Sequence, residues 1–180
     1  TSYQAQVSTV SNFATTVFDQ SGIATTSAAV TPALLNNTVY YWRVNATNAG
    51  GTSAWSSPVR SFTTLPPAPA APTLLSPTDF ATGIAISPTL SWNAAATATS
   101  YQAQVSTVSN FATTVYNQSG IATTSTLVTP ALANNSLYYW RVNATNAGGT
   151  SGWSTVWSFT TAVLVIPTAP TLISPANLAT

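Results

Sequence analysis

Residues 138–144 read Tyr-Tyr-Trp-Arg-Val-Asn-Ala, and apolar side chains alternate with polar ones along the stretch. One face consists of the apolar residues Tyr138, Trp140, Val142 and Ala144. The opposite face consists of Tyr139, Arg141 and Asn143. A period of two is that of a strand with one buried face. The stretch therefore predicts a half-buried antiparallel strand.

Similar short stretches recur on both sides of this strand, separated by turn signals such as Ser119-Gly120 and Asn134-Asn135. No segment shows a convincing helical stripe. The strands predicted for the most complete part of the chain are Thr73–Ser76, Thr89–Asn93, Ser100–Ser106, Thr114–Gln118, Ser125–Val128, Tyr138–Ala144 and Val156–Thr160. Seven short strands in about 90 residues predict an all-β protein built as a β-sandwich.

The chain repeats itself. Residues 1–57 return as residues 99–155 with 48 of 57 positions identical, and Ala71–Leu74 returns as Ala169–Leu172. The repeat predicts five segments: an incomplete domain lacking its first two strands, a proline-rich linker, a complete domain, an apolar linker and the first strand of a third copy. Their predicted boundaries are 1–64, 65–71, 72–161, 162–168 and 169–180.

The period of this repeat is 98 residues, so two periods would need 196 residues where 180 are present. We interpret the chain as a stretch of a longer periodic polypeptide. The incomplete first domain then needs either preceding sequence or a strand from another chain. Near-identical copies favour a structural role, in which length, stiffness or self-assembly matters, over catalysis. An enzyme has no need of two copies of its active site in the same sequence surroundings.

The segment Leu132–Tyr138, followed by alternating Trp140, Val142 and Ala144, resembles the tyrosine corner and penultimate strand of fibronectin type III domains. Trp92 is similar to the second-strand tryptophan of that family, and the opening and closing segments resemble its bacterial members. The resemblance implies tandem seven-stranded, immunoglobulin-like sandwiches. The expected structural core includes Tyr40, Trp42, Trp92, Tyr138, Trp140 and Phe159. The Arg-Gly-Asp tripeptide of some animal members is absent, so the integrin-binding role does not transfer.

Charge is almost missing: the chain has three Arg, two Asp and no Lys, Glu, His, Cys or Met, or 3% charged residues against about 25% in a typical domain. Three dispersed Arg argue against a nucleic-acid partner, since binding a phosphate backbone needs clusters of basic residues. Metal-ligand clusters and His or Cys nucleophile systems cannot be assembled from absent residues. Neither Asp19 nor Asp79 is kept in the other copy, where Asn117 and Asn177 stand, which argues against a catalytic carboxylate pair. We therefore expect that the protein is not an enzyme and binds no cofactor and no metal. No apolar run reaches the ~20 residues of a membrane span, so we expect no membrane insertion in this segment.

The remaining aromatic residues leave two alternatives open. Trp153-Ser154 and the neighbouring Trp157 are loosely similar to the tryptophan–serine ladder of cytokine-receptor domains, in which Arg side chains stack on Trp rings. By this resemblance Arg141 and Arg43 give structural cation–π support. Alternatively, the outward Tyr41, Tyr139 and Trp153 form a platform on which glycans stack.

The linker residues Val163, Leu164, Val165 and Ile166 are four consecutive large aliphatics. One reading is a prolonged last strand or a plug between neighbouring domains. The other is an inter-chain contact, because exposed apolar strand segments pair readily with other chains.

These observations predict a non-catalytic, self-associating structural repeat of a secreted extracellular filament, fibre or surface stalk, and the resemblance is to bacterial proteins. The expected partner is the protein itself or its neighbouring repeats. Two alternatives stay open: an adhesin or glycan-binding module, and a spacer domain in a secreted polysaccharide-degrading enzyme.

Overall fold

Every regular element that the described residues form is a β-strand, as the two-residue alternation predicts. The computed structural model describes residues 1–165 and 167–174. The chain divides into two compact units. The first unit comprises residues 1–69 together with the short stretches 96–98 and 145–151, and the second comprises the remainder. None of the described residues forms a helix long and apolar enough to cross a membrane.

The first unit holds one antiparallel sheet. Its strands are β1 (Ser2–Ser8), β2 (Phe18–Ile23), β3 (Val39–Asn48), β4 (Gly51–Thr52) and β5 (Arg60–Thr63). Their order is β2-β1-β3-β4, and β5 pairs with β3. Its buried cluster consists of Val7, Phe18 and Tyr40. This small core lies on one face of a single sheet.

The repeat of this sheet in the second unit is joined by a second sheet. The strands are β6 (Leu74–Ser76), β7 (Ala81–Ile84), β8 (Thr89–Trp92), β9 (Ser100–Ser106), β10 (Tyr116–Ile121), β11 (Ser125–Leu127), β12 (Leu137–Asn146), β13 (Gly149–Thr150) and β14 (Trp157–Thr161). Of these, β13 and the last two residues of β12 lie in the stretch 145–151 that groups with residues 1–69. One sheet has the order β10-β9-β12-β14-β7, with β13 paired to β12. The other has the order β11-β8-β6.

The two sheets of the second unit face each other across an apolar core. The Trp92 ring on β8 lies 5.5 Å from the Tyr101 ring on β9. Alternate residues of β12 are buried, among them Tyr138, Trp140 and Val142, and so is Phe159 on β14. Tyr138 also accepts a hydrogen bond at its hydroxyl from the Ala133 amide, at 3.1 Å. The alternation along residues 138–144 therefore produces a sandwich with a tyrosine corner.

Trp42 corrects one of the expected core positions. It is the counterpart of Trp140, yet it is 41% exposed whereas Trp140 is 0% exposed. The described residues of the first unit include no counterpart of β6, β7 or β8. Without that second sheet, the apolar face that carries Trp42 stays open. Tyr40 is buried nevertheless, because it packs on Val7 and Phe18 within its own sheet.

Three strand predictions need correction. The strand predicted over 114–118 is β10 at Tyr116–Ile121. Gly120, at φ +71°, allows a bulge that prolongs the pairing with β9. β7 was not predicted. Residues 163–165 do not prolong β14, which ends at Thr161.

The segment predicted to begin a third copy lies only partly within the described residues. Residues 169–174 form no strand, and residues 175–180 lie outside the described range. Among the described residues, none stands beside this segment as β8 stands beside β6. The division of the chain into repeats 1–64, 72–161 and 169–180 stays a prediction.

The proline-rich segment makes specific contacts within the first unit. The Asn146 side-chain amide donates to the Pro67 carbonyl at 2.8 Å and to the Thr97 hydroxyl at 3.0 Å. These bonds join the segment to the two short stretches that group with residues 1–69. A side chain at Gly148 would collide with the backbone of Pro66, so glycine is required there for close approach.

Candidate functional site

The strongest polar cluster of the second unit surrounds Arg141. Its guanidinium lies 4.0 Å from the centre of the Phe111 ring and 4.2 Å from the centre of the Trp153 ring. Its Nε donates to Gln104 Oε1 at 2.9 Å. Burial lowers the pKa of Arg141 from its usual value. A cation held over aromatic faces is stabilised by the ring quadrupoles, which confirms the predicted stacking of Arg141 on Trp153.

The first unit repeats this cluster. Arg43 lies 4.1 Å from the centre of the Phe13 ring and 4.2 Å from that of Trp55. Its Nε donates to Gln6 Oε1 at 2.9 Å. We call each of these arrangements an arginine clamp. The phenylalanine half of the clamp was missed by sequence reasoning, because Phe13 and Phe111 lie in turns outside any alternating stretch.

The serine after each clamp tryptophan fixes the ring in place. Ser154 donates its backbone N–H to the Val142 carbonyl at 2.8 Å, and its hydroxyl accepts the Val142 N–H at 3.1 Å. Ser56 makes the same two bonds with Val44 at the same distances. The Trp-Ser pair is thereby pinned to the central strand beside the arginine. The clamp stabilises the sheet and holds its cation by internal contacts.

The residues considered for glycan stacking differ in accessibility. Tyr41, Tyr139 and Trp153 are all half-buried. Arg141 covers one face of Trp153. Tyr139 lies opposite Ser158 in the pairing of β12 with β14, and Tyr41 lies opposite Ser61 in the pairing of β3 with β5. The described contacts unite Trp153 with the clamp, and they include no ring contact between Trp153 and either tyrosine.

Both carboxylates are engaged in hydrogen bonds. Asp19 accepts from the side-chain amides of Gln4 and Gln6, at 2.7 Å each. Asp79 accepts the Ser158 N–H at 2.7 Å and the Ser158 hydroxyl at 3.2 Å. Within the described part of the chain, no group of three or more His, Cys, Asp or Glu could hold a metal ion. The carboxylates act here as acceptors that tie strands together.

The aliphatic linker is exposed where the structure describes it. Val163, Leu164 and Val165 are between 62% and 78% exposed, and Ile166 lies outside the described residues. No strand forms at residues 163–165. These side chains have no partner within the described chain that would bury them, and the inter-chain contact remains a prediction.

The open face of the first unit forms a concave apolar surface. It encloses about 490 Å³, and its lining includes Tyr3, Ala5, Trp42, Val44 and Phe62. We call this surface the open groove. Polar groups are few along it, whereas binding sites for small polar molecules place several such groups together. Its chemistry suits another apolar polypeptide surface.

Comparison with solved structures gives matches to fibronectin-type domains and to an enzyme. The chain is 17% identical to the FN1–FN3 domains of chicken CNTN1, covering 89% of this chain and 56% of that one, with a TM-score of 0.48. It is 30% identical to an Fn3-like protein from Clostridium thermocellum, covering 55% of this chain and 99% of that one, with a TM-score of 0.43.

A third match is the α-L-rhamnosidase from Dictyoglumus thermophilum, at 19% identity and a TM-score of 0.45. The match covers 54% of this chain and only 12% of the enzyme. Comparison with curated proteins gave no match.

Residues 79–165 match the family model described as the Rha78A-like, N-terminal immunoglobulin domain. The matched range contains most of the complete sandwich, including the tyrosine corner and the clamp of Arg141. The first unit repeats the larger sheet of that sandwich nearly residue for residue. The chain therefore belongs to the immunoglobulin-like β-sandwich family, with domains of the fibronectin type III kind.

Proposed function

We propose that the chain is a non-catalytic structural repeat that spaces or extends a secreted protein. The observation that supports this proposal most is the duplication of the arginine clamp with its distances preserved, at 4.0–4.2 Å in both units. An arginine clamp in each unit stabilises that unit's sheet. Such stabilisation suits a polypeptide whose function depends on its length and stiffness. A catalytic site would gain nothing from a second copy.

The pairing of the short strand β7 with the last strand β14 also suits a mechanical element. β7 pairs in parallel with β14 through Phe159–Ala81 and Thr161–Ile84. Because β7 lies near the start of this domain's sequence and β14 at its end, and the two strands run in the same direction, pulling on the chain ends loads their hydrogen bonds together in shear. Asp79 adds two bonds to Ser158 at the same edge.

Among the possible hosts of such a spacer, a secreted polysaccharide-degrading enzyme is favoured by the family match. The matching model describes an N-terminal immunoglobulin domain of Rha78A-like proteins, and such a domain stands beside other parts of its protein. We infer an extracellular setting from the same match. A surface stalk or filament is the other setting in which the repeat would serve.

Self-association is part of the proposal for the filament setting. It is supported by the exposed Val163, Leu164 and Val165 and by a formal net charge of +1 on 180 residues. Surfaces near zero net charge repel their copies weakly. Ile166 continues the same apolar run in the sequence. A glycan-binding role for Tyr41, Tyr139 and Trp153 has less support, because Arg141 covers a face of Trp153.

A hydrolysis assay tests the non-catalytic claim. The purified chain is incubated with chromogenic α-L-rhamnosides and other glycosides, with the heat-denatured chain as control. We expect no product above the control. Release of product by the native chain, abolished in Asp19→Asn or Asp79→Asn, would contradict the proposal and identify the carboxylate responsible.

A further inference from the structure

Five tripeptides of the chain have the form Asn-x-Ser/Thr, which is the acceptor motif for N-linked glycans. The side-chain amide of the Asn receives the sugar, and the motif requires a hydroxyl two residues later. A chain rich in Asn, Ser and Thr contains such tripeptides by chance, so accessibility decides which of them can be used. They begin at Asn36, Asn45, Asn117, Asn134 and Asn143.

Burial excludes one pair of these tripeptides. Asn45 lies on β3 and Asn143 lies at the same position of β12, and their side chains are only 8% and 6% exposed. A transferase reaches an amide only if that amide extends into solvent. Both tripeptides are therefore closed to modification in the folded sheets.

Asn117 is exposed, but the other copy of the repeat does not keep it. Its side-chain oxygen accepts a hydrogen bond from the Gln102 amide at 2.7 Å. The counterpart of Asn117 is Asp19, which accepts from the Gln4 amide at 2.7 Å. Since a carboxylate has no amide to modify, the property that both copies preserve here is the acceptor that ties two neighbouring strands together.

The remaining pair, Asn36 and Asn134, is exposed in both units. Neither side-chain amide hydrogen-bonds to another residue that the structure describes. The required hydroxyl lies beside each acceptor, because Thr38 donates to the Asn36 carbonyl and Ser136 donates to the Asn134 carbonyl, both at 2.8 Å. The copies differ in sequence at this third position, and the difference keeps the hydroxyl.

The backbone holds the turn that presents each acceptor. Asn37 donates its N–H to the Leu65 carbonyl at 3.0 Å, and Asn135 donates to the Ala162 carbonyl at the same distance. Asn37 and Asn135 both have a φ of +48°, in the left-handed region that Asn tolerates. The same turn is thus formed twice, each time beside the residue at which a linker begins.

A glycan at this turn would hydrate a surface that has few charges. Only 3% of the residues are charged. Val163, Leu164 and Val165 follow Ala162 directly and are between 62% and 78% exposed. Exposed apolar runs favour association, whereas a bulky sugar beside such a run increases solubility without adding charge.

We propose that Asn36 and Asn134 carry N-linked glycans, added from a sugar diphosphate donor that is either lipid-linked or nucleotide-linked. The Asn Nδ2 attacks the anomeric carbon of the donor sugar. The new N–C bond forms as the C–O bond to the diphosphate breaks, the diphosphate leaves with the bonding electrons, and a base of the transferase takes the amide proton. The inference rests on the extracellular setting proposed above and names a modification that fits it.

Mass spectrometry of the chain isolated from its natural source tests this inference. Thermolysin is used for the digestion, because three Arg and no Lys leave trypsin few cleavage sites. We expect sugar-bearing peptides that contain Asn36 or Asn134, and unmodified peptides that contain Asn45 or Asn143. The absence of sugar from both exposed sites would overturn the inference, and so would equal modification of the buried pair.

Variants of the folded chain test the part that the turn hydroxyl plays. Each variant is incubated with an N-glycosyltransferase that modifies a free peptide of residues 130–140. Ser136→Ala should abolish modification of Asn134, whereas Ser136→Thr, which introduces the residue of the other copy, should preserve it. Thr145→Ala, in the buried tripeptide, is the matched control and should leave Asn134 modified. Circular dichroism checks that the variants keep their strands.

Separate reactions with a lipid-linked oligosaccharide and with a nucleotide sugar, each with its own transferase, identify the donor. A free peptide of residues 138–148 should be modified although Asn143 in the folded chain is not, because the peptide has no sheet to bury it. A folded chain left unmodified at Asn134 by transferases that modify the peptide of residues 130–140 would overturn the inference. An unmodified chain would not alter the result expected in the hydrolysis assay, so the glycan and the non-catalytic role fail separately.

Discussion

Trp42 and Trp140 occupy the same position of the repeat, and their contributions to stability should differ sharply. Trp140 is 0% exposed and stacks edge-on against Trp157 at 6.1 Å. We expect Trp140→Ala to lower the free energy of unfolding of the second unit by about 3–5 kcal/mol, because it leaves a large cavity. We expect Trp42→Ala to cost the first unit about 1 kcal/mol or less, since much of that ring is in water.

Urea unfolding followed by NMR signals from each unit measures the two losses in one molecule. Equal losses would mean that the open groove is closed in solution and that the burial contrast is wrong.

The arginine clamp gives a second prediction at the residue scale. Arg141→Ala removes a cation from between Phe111 and Trp153 and leaves Gln104 without its donor. We expect a loss of about 1 kcal/mol in the stability of the second unit, because the group is only partly buried. Arg60→Ala, at an exposed position on β5 of the first unit, is the control and should change the stability of that unit by less than about 0.5 kcal/mol. If Arg141→Ala lowers stability no more than the control does, the clamp does not stabilise the second unit.

The sequence predicted the aromatic residues of the second core and the stacking of Arg141 on Trp153. Phe111 could not be predicted, because it lies 30 positions from Arg141 in a turn and has a positive φ of 56°. Periodicity identifies residues that share one face of a strand. It carries no information about an aromatic ring, such as that of Phe111, that lies in a turn and packs against that face. Trp42 was expected in the core because its strand pattern matches that of Trp140. It is exposed because the described residues of the first unit include no counterpart of the strands that cover Trp140.

β7 is the element that the sequence did not reveal. Ala81–Ile84 shows little apolar alternation and contains Gly83 at φ +70°. Its place is fixed by parallel pairing with β14 and by Asp79, which accepts two hydrogen bonds from Ser158. These contacts join residues 77 to 79 positions apart, so a local pattern could not predict them.

Asp79 therefore provides a prediction at the element scale. Asp79→Ala leaves the Ser158 N–H without its acceptor, and we expect a loss of about 1–3 kcal/mol in the stability of the second unit. Asp79→Asn keeps an acceptor oxygen and should lose less than half as much. Amide exchange at Ser158 and across β14 measures the loosening of this edge. Equal exchange in the native and Asp79→Ala chains would show that the carboxylate does not hold β7 in place.

The aliphatic linker is tested at the scale of the whole molecule. Replacing Val163 and Val165 with Asp adds charge to the exposed run, and we expect it to shift the sedimentation profile towards the monomer. The matched control replaces Val10 and Val108, which are 39% and 40% exposed in equivalent turns. Because both double variants add the same charge, a change confined to the linker variant identifies the contact. Unchanged sedimentation of the linker variant would show that the protein does not self-associate through this run.

The duplication is the property of the whole molecule that the sequence predicted most directly, because 48 of the 57 compared positions are identical. The structure adds the reason why the near-identical halves differ: among the described residues, the segment that carries β6, β7 and β8 belongs to the second unit. Identity of sequence within one sheet therefore does not ensure equal burial. The missing sheet, and not any substitution such as Phe18 for Tyr116, separates the two units.

The central claim is that the chain is a mechanical repeat, and stretching single molecules between their two ends tests it most directly. The account predicts one cooperative event from the second unit. It should release roughly 290–320 Å less the distance between the ends of the folded domain, since its strands span residues 74–161 and an extended chain gains about 3.3–3.6 Å per residue. The first unit, which has no β7, should open at lower force. Gradual lengthening of the second unit at low force, without a distinct event, would contradict the claim.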